Sequence, residues 1–429
     1  MSRLFYSLCL YLAVPFILLR LLYRALRAPS YLQRWGERFG FFSLPAAWQA
    51  NDSAIWIHAV SVGEALAAAP LIRHLQKTRP AGQILVSTMT PTGSARVREL
   101  FGAKVFHVYL PYDLPGAQRR FLQRIRPALL VVMETELWPN LLYHCHRQGV
   151  KVLLANARLS EKSARGYRRL GPLTRSMLRH IDLIAVQAQA DAQRFARLGA
   201  TQAQLQVTGS LKFDMDVPSL QQQDLPPLFQ QITGSKRPVL IAASTREGEE
   251  EKVLRAFVAC LSGYPDLLLV LVPRHPERFN AVVSLCEKIP LSVQRRSTAT
   301  AIAPQCQVLV GDSMGEMWFY YALADIAFVG GSLVDTGCHN VLEPAAIGLP
   351  VLVGPSQFNF ATICRQLEEA GALKTVADET ALGKEVMALL DNPQWRNAMG
   401  SAGKLVLEQN RGVLQRLTAM LDQLQPRRL

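Results

Sequence analysis

Short, almost wholly apolar runs recur along this chain, each followed by a segment of helical period, and this alternation limits the fold more than any other feature. The first series is AIWIHAV (54–60), ILVST (84–88), VFHVYLP (105–111), ALLVVME (128–134), KVLLANAR (151–158) and LIAVQ (183–187). The second is PVLIAAST (238–245), LLLVLVPR (267–274), VLVGD (308–312), IAFVGGS (326–332) and PVLVGP (350–355). Runs apolar at every position, rather than at every second one, are strands buried on both faces, which is the signature of a parallel sheet with helices on either side. Between the series lie Pro218, Pro226, Pro227, a glutamine run and Gly234, the composition of a linker. The predicted fold class is therefore α/β, with two doubly wound, Rossmann-like domains facing a cleft. The expected boundaries are 28–215 for the first domain, 216–237 for the linker and 238–404 for the second. A C-terminal helical stretch, 405–429, is placed to pack back on the first domain. A length of 429 residues suits two cores rather than one, and 49% hydrophobic against 19% charged residues excludes a disordered chain.

Residues 1–27 stand outside this grammar. Leu4 to Leu19 is nearly all apolar, and the apolar character resumes at Leu21 beyond Arg20. Arg20, Arg24, Arg27 and Arg34 follow where a cleaved leader would need small residues, so the segment reads as a membrane anchor. It reaches the roughly 20 residues a spanning helix needs, and it can equally lie half-buried in one leaflet. One arginine before the stretch and four after it place the bulk of the chain in the cytoplasm.

Lys and Arg number 47 against 33 Asp and Glu, a net +14, and 36 of the 47 are Arg, whose planar fork matches phosphate and carboxylate. Nucleic acid, anionic lipid and phosphorylated small molecules all fit that charge. A second basic stretch holds Arg158, Lys162, Arg165, Arg168, Arg169, Arg175 and Arg179 among apolar residues. It is either a solvated helix surface or a patch for lipid headgroups or a phosphorylated acceptor. Seven scattered cysteines with no CxxC pair argue against disulfides or structural zinc and for a reducing compartment.

In doubly wound sheets ligands bind beyond the carboxyl ends of the strands. The first strand runs into Ser61, Gly63 and Glu64. A carboxylate in that first helical turn can take a proton from a substrate hydroxyl, or it can merely complement the helix dipole. Glu134 and Glu136 close the fourth strand; they share a side of an extended segment but have no third acidic or His partner nearby, so structural hydrogen bonding is an equal reading. In the second half, IAFVGGS leads through a glycine-rich segment to Asn340 and a helix beginning near Leu342, an arrangement that can cradle an anion. Glu343 in its first turn can bind ribose hydroxyls, which points to a nucleotide-sugar site. Neither GxxxxGK[ST] nor an opening GxGxxG is present, which disfavours ATPase and dehydrogenase chemistry. Further strand ends carry Ser244 to Arg246, Arg274 with His275, and Gly311 to Glu316, including Gly315. Arg274 or Lys212 can neutralise a phosphate or a sugar carboxylate, and His275 can bind a leaving phosphate or be an ordinary loop histidine. No Asp pair or His cluster suggests a divalent ion, so neutralisation falls to Arg, Lys and helix amides.

At HAVSVGE, METELWPN, NARLSEKSARGY, GSLKFD, PRHPERF and FVGGSLVDTGCHNVLEPA the chain resembles the bacterial 3-deoxy-D-manno-octulosonic acid (Kdo) transferases of lipopolysaccharide assembly, along essentially its whole length. The resemblance implies a GT-B glycosyltransferase at the cytoplasmic face of the inner membrane. It implies transfer of Kdo from CMP-Kdo to the distal glucosamine of the tetraacyl lipid A precursor, lipid IVA, with inversion, no metal, no cofactor beyond the co-substrate and no nucleic-acid partner. Carried onto this chain, Glu64 becomes the general base; Ser61, Gly63, Glu134, Glu136, Arg158 and Arg165 fall on the acceptor side. Lys212, Arg274, His275, Gly315, Glu316, Ser332, Asn340 and Glu343 would hold CMP-Kdo. Cys338 stands where the family commonly has glycine, and Val341 where it has proline. The alternatives are a GT-B enzyme using a UDP-sugar, either an epimerase or an N-acetylglucosaminyl transferase, and a membrane lipid-binding protein without turnover.

Overall fold

Every apolar run named above forms a strand, and every strand pairing is parallel, as runs buried on both faces require. The computed structural model describes residues 1–46, 48, 54–79, 83–218, 220, 225–234 and 237–424. The chain divides into two units, Met1–Met215 with Arg411–Leu429, and Asp216–Asn410.

Unit 1 holds β1 (Ala54–His58), β2 (Ile84–Thr88), β3 (Phe106–Tyr109), β4 (Pro127–Met133), β5 (Lys151–Ala157), β6 (Leu183–Val186) and β7 (Leu205–Val207), in the order β3-β2-β1-β4-β5-β6-β7. Its sheet carries apolar side chains to both faces: Trp56 with Phe121 and Phe195 on one, Ile57 with Leu71 and Leu417 on the other. Leu417 arrives from the helix Val413–Leu424, which also buries Val413, Met420 and Leu421 in that second face. The Asp214 carboxylate accepts the Gly412 amide at 2.7 Å and ties the returning segment down.

Unit 2 repeats the plan with β8 (Val239–Thr245), β9 (Leu268–Pro273), β10 (Val293–Arg295), β11 (Val308–Val310), β12 (Ile326–Val329), β13 (Val351–Val353) and β14 (Leu373–Thr375), ordered β10-β11-β9-β8-β12-β13-β14.

Two boundaries differ from the sequence-based expectation. Residue 405 lies inside the helix Pro393–Asn410, and the break comes at Gly412, whose left-handed φ of +83° glycine adopts readily. Within the expected linker, parts of which (219, 221–224, 235 and 236) lie outside the described residues, Pro227–Gly234 forms a helix that buries Leu228, Phe229 and Ile232 in unit 2. Pro227 opens that helix, a position where its missing N–H costs nothing.

In each sheet the chain order reverses beside the first strand, between β1 and β4 in unit 1 and between β8 and β12 in unit 2. Loops leaving such strands on opposite sides open a crevice, so each unit has one natural ligand position.

Candidate functional site

In unit 1 the loop after β1 delivers Ser61 as N-cap of the helix Val62–Thr78, with Glu64 in its first turn. One Glu64 oxygen accepts the Val60 amide at 2.9 Å, and the other accepts the Ser61 hydroxyl at 3.1 Å. The carboxyl is thereby held in one place while each oxygen keeps a lone pair. Burial pushes its pKa up to about 7; the Val60 bond opposes this, while the nearby Glu134 and Glu136 charges add to it. Both readings of Glu64 therefore have a structural basis: it caps the helix, and it is also a carboxyl poised to exchange a proton near neutrality.

Glu134 and Glu136 come from the loop after β4, across the strand-order reversal. Glu134 sits at a left-handed φ of 56° and pairs with Arg158 at 3.0 Å. Glu136 accepts the Trp138 indole N–H at 2.9 Å, and burial raises its pKa against that bond. Four residues assigned to the acceptor side, Ser61, Glu134, Glu136 and Arg158, thus converge with Glu64. Gly63 is exposed, and a Cβ on it would meet only Ser61 Oγ, at 3.9 Å, so the helix end beside Glu64 is open to a ligand. Arg165 is different. It lies on the exposed face of the helix Glu161–Arg169, bonded at 3.4 Å to Glu161 of its own helix. Lys212, grouped with the donor residues by sequence, lies in unit 1 on the turn Leu211–Phe213 after β7.

Unit 2 gathers its residues at the carboxyl ends of β8, β9 and β12. The Arg246 guanidinium, just past β8, donates from Nε to His339 Nε2 at 3.0 Å and from Nη1 to His275 Nε2. Burial, reinforced by Arg246, Arg274 and His275, lowers the His339 pKa to about 4, so its ring is neutral at pH 7. Among the described residues no carboxylate lies within salt-bridge distance of Arg246 or Arg274. A guanidinium held by two imidazoles rather than by a carboxylate, with Arg274 nearby, suits an anionic ligand. Beside them Asn340 donates to Glu343 at 3.0 Å and accepts the Leu342 amide at 3.1 Å. Burial raises the Glu343 pKa, opposed by Asn340 and Arg274.

In the glycine-rich turn after β12, ahead of the helix near Leu342, the amides of Gly331, Ser332 and Leu333 already hold an anion of the chain itself. The buried Glu249 carboxylate accepts from Gly331, Ser332, Leu333 and Arg246 amides at 2.7, 3.0, 2.9 and 3.1 Å. Ser332 Oγ donates to Val329 O at 2.6 Å and the residue is fully buried, which leaves it no polar group facing solvent. Gly330 is required here: a Cβ would stand 2.7 Å from Ser244 O and Thr245 Cα. Replacing Glu249 by Gln sets an NH2 group against two of these amides; at about 1–3 kcal/mol per unsatisfied amide, a thermal melt of E249Q should show a large fall in Tm.

Gly315 is exposed at a φ of 82° in the loop after β11, and Glu316 is engaged by Arg296 at 2.7 Å and by Ser313. Among the described residues Glu316 is bonded to Arg296 and Ser313 and not to Arg246, His275 or His339, so that loop stands as a separate cluster at the next strand end but one. His339 escaped the sequence reading, and Arg246 was noted only as a strand-end residue. The available signal was that both follow strands flanking the order reversal.

Comparison with known proteins bears on these geometries. Residues 33–215 match the family model described as 3-deoxy-D-manno-octulosonic-acid transferase (kdotransferase), and 263–406 match glycosyl transferases group 1. The chain is 44% identical to a 3-deoxy-D-manno-octulosonic acid transferase of Haemophilus influenzae, over 99% of each chain. It is 38% identical to the protein of that name from Bordetella pertussis, over 98% of this chain and 99% of the other. The crystal structure of Acinetobacter baumannii MurG, 12% identical, superposes with a TM-score of 0.55 over 86% of this chain and 99% of its own, a likeness of fold alone.

Proposed function

The chain belongs to the Kdo transferases of lipopolysaccharide synthesis, and from that premise we propose how its two sites divide the reaction. Unit 2 holds CMP-Kdo, with Arg246 and Arg274 facing its phosphate or the Kdo carboxylate and Asn340 and Glu343 binding hydroxyls. Unit 1 receives a hydroxyl of the lipid A precursor lipid IVA beside Glu64. The acceptor oxygen bonds to the anomeric carbon as the bond to the CMP phosphate breaks and its electron pair leaves with CMP. Glu64 takes the acceptor proton. Attack opposite the leaving group inverts the anomeric centre. Cations fixed beside the leaving phosphate do the work a divalent ion would otherwise do. The basic surplus of unit 1 supports a place on the anionic cytoplasmic leaflet of the inner membrane.

The observation that carries this reading is the Glu64 carboxyl, buried, fixed by two hydrogen bonds and raised to about 7 by burial and two neighbouring carboxylates. A base must be ionised to act, so kcat/KM should climb with pH through the region near 7. Because the Glu134 charge favours the protonated form of Glu64, Glu134→Gln should move that climb to lower pH. A climb that stays in place in this variant contradicts the assignment.

A further inference from the structure

The helix Arg3–Arg27 is long and apolar enough to cross a bilayer, with a mean hydropathy of 2.0 over its most apolar window. Its contacts oppose a crossing. In its first turn Arg3 donates to Asn140 Oδ1 at 2.9 Å and stacks 3.6 Å over the Tyr143 ring, and Ser7 Oγ donates to the same Asn140 oxygen at 3.0 Å. Tyr6 hydrogen-bonds to Asp113, whose carboxylate also accepts the Asn140 and Leu141 amides at 2.9 and 2.7 Å. Past the helix, Arg38 O accepts the Tyr112 amide at 2.8 Å and Arg34 donates to His107 O at 3.0 Å. Tyr6 and Arg38 are therefore bound to adjacent residues of one unit. A spanning helix would separate the two ends by the roughly 30 Å of the hydrocarbon core.

Burial along the helix agrees. Ser7, Leu10, Val14, Ile17, Leu21 and Ala25 are buried or half-buried at spacings of three and four, one stripe turned toward unit 1 for the whole length. Leu4, Leu8, Leu12, Phe16, Leu19 and Leu26 form the opposite stripe, each more than half exposed. A spanning helix free in lipid has no reason to carry one sheltered stripe. The helix contains no acidic residue, and residues 1–215 with 411–429 carry 32 Lys and Arg against 12 Asp and Glu. An exposed apolar stripe of that length on a basic body fits the surface of an anionic bilayer rather than a protein partner.

We propose that the Arg3–Arg27 helix does not span the membrane but lies in the plane of one leaflet, strapped along unit 1 by its first turn and inner stripe, with its outer stripe among the acyl chains. Both of its ends then share the side on which unit 1 lies. The test uses the full chain with Cys9, the exposed native cysteine, changed to Ser, carrying either Ser2→Cys or Lys162→Cys at exposed positions. Membranes are sealed in each orientation and treated with a membrane-impermeant maleimide. The expected result is that both cysteines label in the same vesicle orientation and neither in the other. Labelling of Ser2→Cys only in the orientation that protects Lys162→Cys overturns the proposal. A second measurement tests the occupant: the purified chain should float with phosphatidylglycerol vesicles, and Phe16→Glu should float less. A chain that stays in the soluble fraction with these vesicles also overturns it. Neither readout depends on Kdo transfer.

Discussion

Glu64→Gln is expected to lower Kdo transfer by about 10²–10⁴-fold, the usual worth of a general base, while leaving CMP binding and thermal stability near those of the parent. Gln is close in size to Glu. Its carbonyl oxygen can keep the Val60 amide, and its NH2 can donate to the Ser61 oxygen, so the helix cap survives where the proton acceptor does not. This separates the two readings of Glu64. A residue that only capped the helix would leave both the melting curve and turnover near the parent's in this variant. Single-turnover transfer and a CMP-binding isotherm, measured on the same preparation, decide between them.

The second large effect is expected at Arg246. Its guanidinium donates to two imidazoles that come from different strand ends, and no described carboxylate neutralises it. Arg246→Leu removes the cation we propose faces the leaving phosphate, and kcat/KM should fall by about 10²–10³-fold, the scale of losing one preorganised charge-stabilising donor. Arg246→Lys should recover little, because a point charge on a flexible stem cannot hold both His275 and His339. If the lysine variant matched the parent, charge alone would be sufficient and the paired imidazoles would have no positioning role.

Much of this was legible before the structure. Ten of the eleven strands read from apolar runs lie inside the two sheets, where both faces are covered; the eleventh, β3, is an edge. The three that escaped, β7, β10 and β14, are three-residue strands reading LQV, VQR and LKT, with polar or charged members. All three are sheet edges, where solvent relaxes the need for an unbroken apolar pattern. Glu64, Glu134 and Glu136 drew notice in the sequence because they stand in the segments just after β1 and β4, where the strand order reverses. The internal use of the glycine-rich turn was not legible: an amide nest looks the same in sequence whether it awaits a ligand or already holds Glu249, and only the fold brings that carboxylate to residues more than 80 positions away. The Arg246–His339 contact spans 93 positions and has no local signature. The first turn of the N-terminal helix was read as a simple anchor because composition reports apolar length and not the Asn140 and Asp113 contacts that hold it.

The most direct measurement is the mass of the product formed when the purified full chain meets CMP-Kdo and lipid IVA in buffer containing EDTA. The account predicts acceptor carrying added Kdo, with CMP released in equal amount and no dependence on a divalent ion. Unchanged acceptor under these conditions, or a product formed from a UDP-sugar instead, would contradict it.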